Sequence, residues 1–209
     1  MDQYQETFRT WNAVAEAYAE KFMDLDFYNE SYRAFCAHLP GPSPRVLELG
    51  CGPGNVSRYL LQQCPGMQLL ATDVAPNMLE VARQQVSQAQ FQVLDARELA
   101  QVSGQFQGLL AGFVLPYLSP EDVRQLLADA HHLLFPSGII YLSYIPGQPD
   151  KSGFIQGSTG QRMYLYYHET AQVQTLLTQA GFSLLHHFKI PFPERNEEHE
   201  VLICQKRQA

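Results

Sequence analysis

A chain of 209 residues that is 45% hydrophobic and 11% aromatic carries enough apolar side chain for one folded domain with a full core, taken as residues 1–209. The formal net charge of −7, with only four lysines, speaks against a nucleic-acid substrate, whose phosphates want a basic stripe. No apolar run reaches the length of a membrane span, the polar N-terminus shows no signal peptide, and Cys36, Cys51, Cys64 and Cys204 lack paired spacing, which points to reduced thiols in a cytoplasmic protein.

Residues 1–40 read as a helical cover. Phe8, Trp11, Val14, Tyr18 and Phe22 fall on one face, and Tyr32, Phe35, Cys36 and Leu39 resume the pattern. Pro40-Gly41-Pro42-Ser43-Pro44 ends the segment.

Residues 45–144 open on Val46-Leu47-Glu48-Leu49-Gly50-Cys51-Gly52-Pro53-Gly54, a buried strand running into a glycine loop. The glycines free the backbone to turn tightly and to approach a ligand. Val56, Tyr59, Leu60 and Cys64 then recur at helical spacing, so a helix starts near Asn55 and stops at Pro65-Gly66. Such a unit presents N–H groups and a positive dipole end to a nucleotide-like ligand; a tight structural turn is the alternative. A second strand, Gln68 to Thr72, ends in Asp73, twenty-three positions after Gly50, where a carboxylate can accept from both hydroxyls of a ribose. The dinucleotide fingerprint is not met: the third glycine comes one position early, with Asn55 where it would fall, and the acidic Glu48 precedes Gly50 by two.

In this form the loop resembles the first motif of the class I S-adenosylmethionine-dependent methyltransferases, an acidic residue, any residue, then Gly-x-Gly-x-Gly. The resemblance implies S-adenosyl-L-methionine as cofactor, held by Glu48, Gly50, Cys51, Gly52, Gly54 and Asp73. It places Val74 and Met78 against the adenine ring, with plain core packing as the other role for Met78. A third strand, Phe91 to Leu94, ends at Asp95-Ala96-Arg97. In the family an aspartate here meets the adenine amino group and the next N–H a ring nitrogen; capping a short turn is the structural alternative for Asp95. The N-terminal segment of small-molecule members often closes over the site, which makes Tyr18 and Phe22 candidates to touch the acceptor.

A fourth strand, Phe106 to Gly112, leads to Phe113-Val114-Leu115-Pro116-Tyr117, where the resemblance puts the methionine end of the cofactor beside Gly112 and Phe113, and Tyr117 beside the acceptor. Nucleic-acid amino-methyltransferases carry Asn/Asp/Ser-Pro-Pro-aromatic at this point; only Pro116-Tyr117 stands here, which argues against a base as acceptor. Ser119-Pro120-Glu121-Asp122 starts a helix that halts at Pro136-Ser137-Gly138, and a fifth strand follows as Ile139 to Tyr144.

Residues 145–168 read as a loop and candidate substrate lid, with Arg162 placed to bind an anionic acceptor and Tyr164 and His168 in an aromatic cluster. Residues 169–209 hold a final helix stopping at Gly181 and two strands, Phe182 to Ile190 and Glu200 to Cys204, joined through Pro191-Phe192-Pro193. The element order predicts an α/β, Rossmann-like, doubly wound, seven-stranded, mostly parallel sheet with a C-terminal antiparallel hairpin. No histidine stands at metal-ligand spacing, and no carboxylate–histidine pair declares a catalytic base; His168 and Tyr144 are the groups to test. The expected reaction is methyl transfer to a small molecule. Two rivals share the layout: a non-catalytic partner module, and a nicotinamide-dependent oxidoreductase, against which no lysine has a tyrosine four positions before it. Oligomeric state is left open.

Overall fold

Three helices come first in the computed structural model, which describes residues 2–157 and 160–208: α1 (Gln3–Ala13), α2 (Ala15–Phe22) and α3 (Asn29–His38). Asp2 caps α1 by accepting from the Tyr4 N–H. Strands and helices then alternate as β1 (Arg45–Leu49), α4 (Asn55–Gln63), β2 (Gln68–Asp73), α5 (Pro76–Gln85), β3 (Gln90–Val93), β4 (Phe106–Gly112), α6 (Pro120–Leu133) and β5 (Leu134–Tyr144). A small hairpin, β6 (Gly153–Gln156) and β7 (Arg162–Leu165), precedes α7 (Thr170–Gln179), β8 (Phe182–Phe192) and β9 (Glu197–Lys206).

The main sheet has seven strands in the order β3-β2-β1-β4-β5-β9-β8. Strands β1 to β5 are parallel, and β9 runs antiparallel to both β5 and β8. Because β1 is covered on both faces, its residues alternate between two cores: Leu47 and Leu49 meet the helices α6 and α7, while Val46 meets α3 and α4. The strand order reverses between β1 and β4, so the crevice at their carboxyl ends is where a doubly wound sheet receives a ligand.

Helix α3 crosses β4 at a position that tolerates no side chain. A Cβ on Gly108 would lie 2.5 Å from Leu39 Cδ2 and 2.8 Å from the Phe35 ring. Gly108→Val is therefore expected to lift α3 and to lower stability by roughly 1–3 kcal/mol, the usual cost of overpacking. Urea midpoints of the two proteins measure it, and equal midpoints would show that α3 yields freely.

Three sequence expectations are corrected. Residues 145–168 are not an irregular loop, because β6 and β7 pair from Gly153–Leu165 to Gln156–Arg162. Helix α6 ends at Leu133 instead of running to Pro136, and β5 begins at once because Leu134 pairs with Phe106. Pro191 and Phe192 do not join the last strands; they lie inside β8 opposite Glu198 and Glu197. A proline is tolerated there because β8 is the sheet's edge.

Candidate functional site

The loop after β1 is built by its glycines. Gly50, Gly52 and Gly54 have φ of 64°, 53° and 90°, the left-handed region that other residues enter only at a cost. Cys51 N–H donates to the Thr72 carbonyl at 2.9 Å, which ties the loop to the end of β2. Gly54 opens α4 and lets it pass close to α5, since a Cβ there would meet Ala82 and Val86 at 3.2–3.3 Å.

Asp73 ends β2 with both carboxylate oxygens aimed by the backbone. Oδ2 accepts from Gly52 N–H at 2.9 Å and Oδ1 from Ala75 N–H at 2.8 Å. The side chain is 8% exposed, and burial raises its pKa against the lowering of those N–H bonds. Each oxygen keeps a further lone pair, and the carboxylate lines a cavity of about 130 Å³ together with Gly50, Gly52, Val74, Met78, Asp95, Ala96, Gly112 and Phe113. From α1 and α2, Phe8, Trp11 and Tyr18 close it. An ideal Cβ on Gly52 has one neighbour within reach, the Tyr18 ring at 4.0 Å, so the space over the loop is left for a ligand between backbone and ring.

Asp95 lines the same cavity, and its carboxylate is engaged within the turn it begins. It accepts from the Arg97 backbone N–H at 2.9 Å and from the Arg97 guanidinium at 2.6 Å. That guanidinium also stacks 3.9 Å over the Tyr4 ring, which anchors α1 to this edge.

Residues 46–138 match the methyltransferase-domain family. Over this stretch the chain is similar to methyltransferase domains. Among its relatives, the malonyl-[acyl-carrier protein] O-methyltransferase of Magnetococcus marinus is 35% identical over 131 residues, which is 61% of this chain and 43% of that one. The chain spans about half the length of such relatives, 43% and 51% in two of that name. Two solved structures share the fold at low identity. The DhpI–SAH complex superposes with a TM-score of 0.76 at 14% identity, covering 99% and 98% of the two chains. The Burkholderia thailandensis 1,6-didemethyltoxoflavin-N1-methyltransferase, with its substrate and S-adenosylhomocysteine bound, gives 0.75 at 20%, covering 98% and 88%.

Beside the first cavity lies a second, of about 520 Å³. Trp11, Tyr18 and Tyr117 line both and stand between them, with Trp11 edge-on to Tyr18 at 5.3 Å and to Tyr117 at 5.6 Å. Gly112 and Phe113 also face both. Phe113 holds φ of 54°, unusual for a bulky residue and a common mark of a functional loop. Its N–H donates to the Ser143 carbonyl and hydroxyl, at 3.0 and 3.1 Å. Phe22 lines the larger cavity, as do Glu48 and Cys51. Glu48 is 1% exposed beside Ser57 Oγ at 2.5 Å, and burial pushes its pKa up to about 8.

The structure draws four other candidates away from both cavities. Arg162 forks onto Glu6, at 2.5 and 3.0 Å, on the outside of the hairpin. Tyr164 packs edge-on to Phe154 at 5.2 Å. His168 is buried with Nε2 against the Leu115 and Leu118 carbonyls, at 3.0 and 3.1 Å, where it serves the turn at Pro116-Tyr117. Tyr144 sits in the core under α6 and α7. Neither cavity wall includes any of the four.

Sequence reasoning missed the wall that the β8–β9 turn supplies: Phe192, Arg195, Glu197 and His199, with Tyr28 from the start of α3. Arg195, in place of Arg162, puts its guanidinium on the cavity; burial raises the pKa of both Tyr18 and Tyr117, and the Arg195 charge opposes that rise only in part. A signal was available, since Glu197 and His199 alternate on a strand and so share a face.

Proposed function

We propose that this chain, as one domain, transfers a methyl group from S-adenosyl-L-methionine to a small organic acceptor. The observation that carries the reading is the pair of adjoining cavities. The smaller ends at the backbone-locked Asp73 over a loop of three left-handed glycines, and the larger is walled by aromatic side chains. The residues present fit the cofactor: Asp73 has lone pairs for ribose hydroxyls, Val74 and Met78 offer an apolar seat for adenine, and Gly52 leaves room that a Cβ would reduce.

When bound, the cofactor supplies an electrophilic methyl group on a sulfonium. The chain's own residues then bind and orient. Asp73 and the Gly50–Gly54 loop fix one reactant, Tyr18 and Trp11 roof the junction against water, and Phe22 and Tyr117 hold the other. Holding two reactants in line supplies on the order of 7–11 kcal/mol of a barrier. A cavity of about 520 Å³ suits a small molecule. The net charge of −7 disfavours nucleic acid. No described helix is long and apolar enough to cross a membrane. Free thiols at all four cysteines support a reducing, cytoplasmic setting.

Calorimetric titration with S-adenosylhomocysteine, NAD and NADP tests the reading. Micromolar binding of S-adenosylhomocysteine alone is expected, and binding of a nicotinamide dinucleotide alone would overturn it.

A further inference from the structure

Behind Phe113 stands a chain of three polar side chains that the reading above does not use. Tyr28 Oη lies 2.5 Å from His199 Nδ1, and His199 Nε2 lies 3.5 Å from Glu197 Oε2. Tyr28 and His199 are each 5% exposed, and all three residues line the larger cavity. They come from the residue that caps the start of α3 and from β9, with Tyr28 and His199 171 residues apart in sequence. The imidazole is held flat against Phe192 at 4.9 Å and edge-on to Phe113 at 5.1 Å. Phe113 also packs 5.3 Å from the Tyr28 ring, so the chain borders the larger cavity next to Phe113, the one of these residues that faces both.

We propose that the acceptor is a small hydroxyl compound and that Tyr28, backed by His199 and Glu197, takes its proton. This rests on the methyl-transfer reading. The tautomer follows from the partners: Glu197 can only accept from Nε2–H, which leaves Nδ1 to accept from the Tyr28 hydroxyl. Burial, with the Arg195 charge, lowers the His199 pKa against the raising by Glu197, so the ring is neutral near pH 7 with Nδ1 free to accept. The groups around it are Tyr28 at the start of α3, Phe113 after β4, Phe192 from β8, and Glu197 and Arg195 at the turn. Glu198 and Glu200 are engaged elsewhere, with Lys189 and His187. Burial raises the Tyr28 pKa, so the phenol does not ionise by itself and passes its proton on.

In the step, the acceptor oxygen forms a bond to the methyl carbon as the carbon–sulfur bond breaks and its electron pair stays on sulfur. The acceptor proton moves to Tyr28 Oη while the Tyr28 proton moves to His199 Nδ1. The positive charge lost at sulfur reappears on the imidazolium beside Glu197, and the proton is later returned to water. A carboxylate acceptor, already ionised, would need none of this.

The test uses the full chain with ¹⁵N-labelled histidine, saturated with S-adenosylhomocysteine. A fixed panel of phenols from phenol to 4-nitrophenol, primary alcohols, and the matching carboxylates and amines is added. Hydroxyl compounds are expected to shift the His199 ring nitrogens. With tritiated S-adenosyl-L-methionine, hydroxyl compounds are expected to be the ones methylated. Tyr28→Phe and His199→Gln should each lower kcat by about 10²–10⁴-fold, with S-adenosylhomocysteine affinity retained, and abolish the acidic limb of the kcat/KM profile that wild type shows. Three results would overturn the relay: no shift at His199 with any hydroxyl compound, methylation confined to carboxylates or amines, or variants that keep kcat and the acidic limb. Failure of wild type to bind S-adenosylhomocysteine would instead remove the methyl-transfer reading.

Discussion

Asp73→Ala is expected to raise the dissociation constant for S-adenosylhomocysteine by about ten- to a hundredfold. Removing the carboxylate takes away a charged acceptor for the ribose hydroxyls, a contact worth roughly 1.5–3 kcal/mol. It also strands the N–H groups of Gly52 and Ala75, which donate to the two oxygens at 2.9 and 2.8 Å. Asn at this position cures only half of the loss, because its NH₂ would face an N–H donor. Calorimetry on the folded variants measures both effects. A near-normal affinity for Asp73→Ala would place the ligand elsewhere on the crevice.

Glu48→Gln is expected to flatten the dependence of stability on pH. The buried Glu48 has its pKa raised to about 8, chiefly by burial and further by the neighbouring Asp73, against the lowering effect of Ser57. An unfolded glutamate titrates near 4.3. Between the two values the folded chain holds a proton that the unfolded chain has released, so stability falls as pH rises. The contribution is full below pH ~4.3 and is lost at about 1.4 kcal/mol per unit up to about pH 8, or about 4 kcal/mol over the three units above pH ~5. Gln keeps the size and the contact to Ser57 with no charge to bury. Variant and wild type should therefore have similar urea midpoints near pH 5, with the variant well ahead near pH 8.5. Parallel curves would show that Glu48 is ionised in the folded state.

How much of this was legible in the sequence depended on how local the cause was. The backbone of the loop after β1 was legible because three glycines at alternate positions announce a turn that other residues enter only at a cost, and each does take positive φ. Asp73 was legible because a strand end fixes its place over that loop. The hairpin β6–β7 was not: strands of four residues amid Gly and Ser carry too little alternation to stand out. Arg162 and Arg195 look alike in sequence, and only the fold sets Glu6 beside the first and the larger cavity beside the second. His168 reads as a free base in a loop, yet two carbonyls from the turn after β4 claim it. The Tyr28–His199 contact joins the two ends of the chain, and no local pattern announces such a pair.

Helix α1 and the hairpin are tied to each other across the mouth of the crevice. Thr10 Oγ1 donates to the Arg162 carbonyl at 2.6 Å, Tyr164 N–H donates to Thr7 Oγ1 at 3.0 Å, and Arg162 pairs with Glu6. Helix α1 helps to roof the smaller cavity, while β6 and β7 supply part of the wall of the larger through Ile155 and Met163. One compartment cannot be unroofed by moving either piece alone without breaking these bonds. Whatever opens either compartment therefore has to carry helix α1 and the hairpin together, as one roof over both.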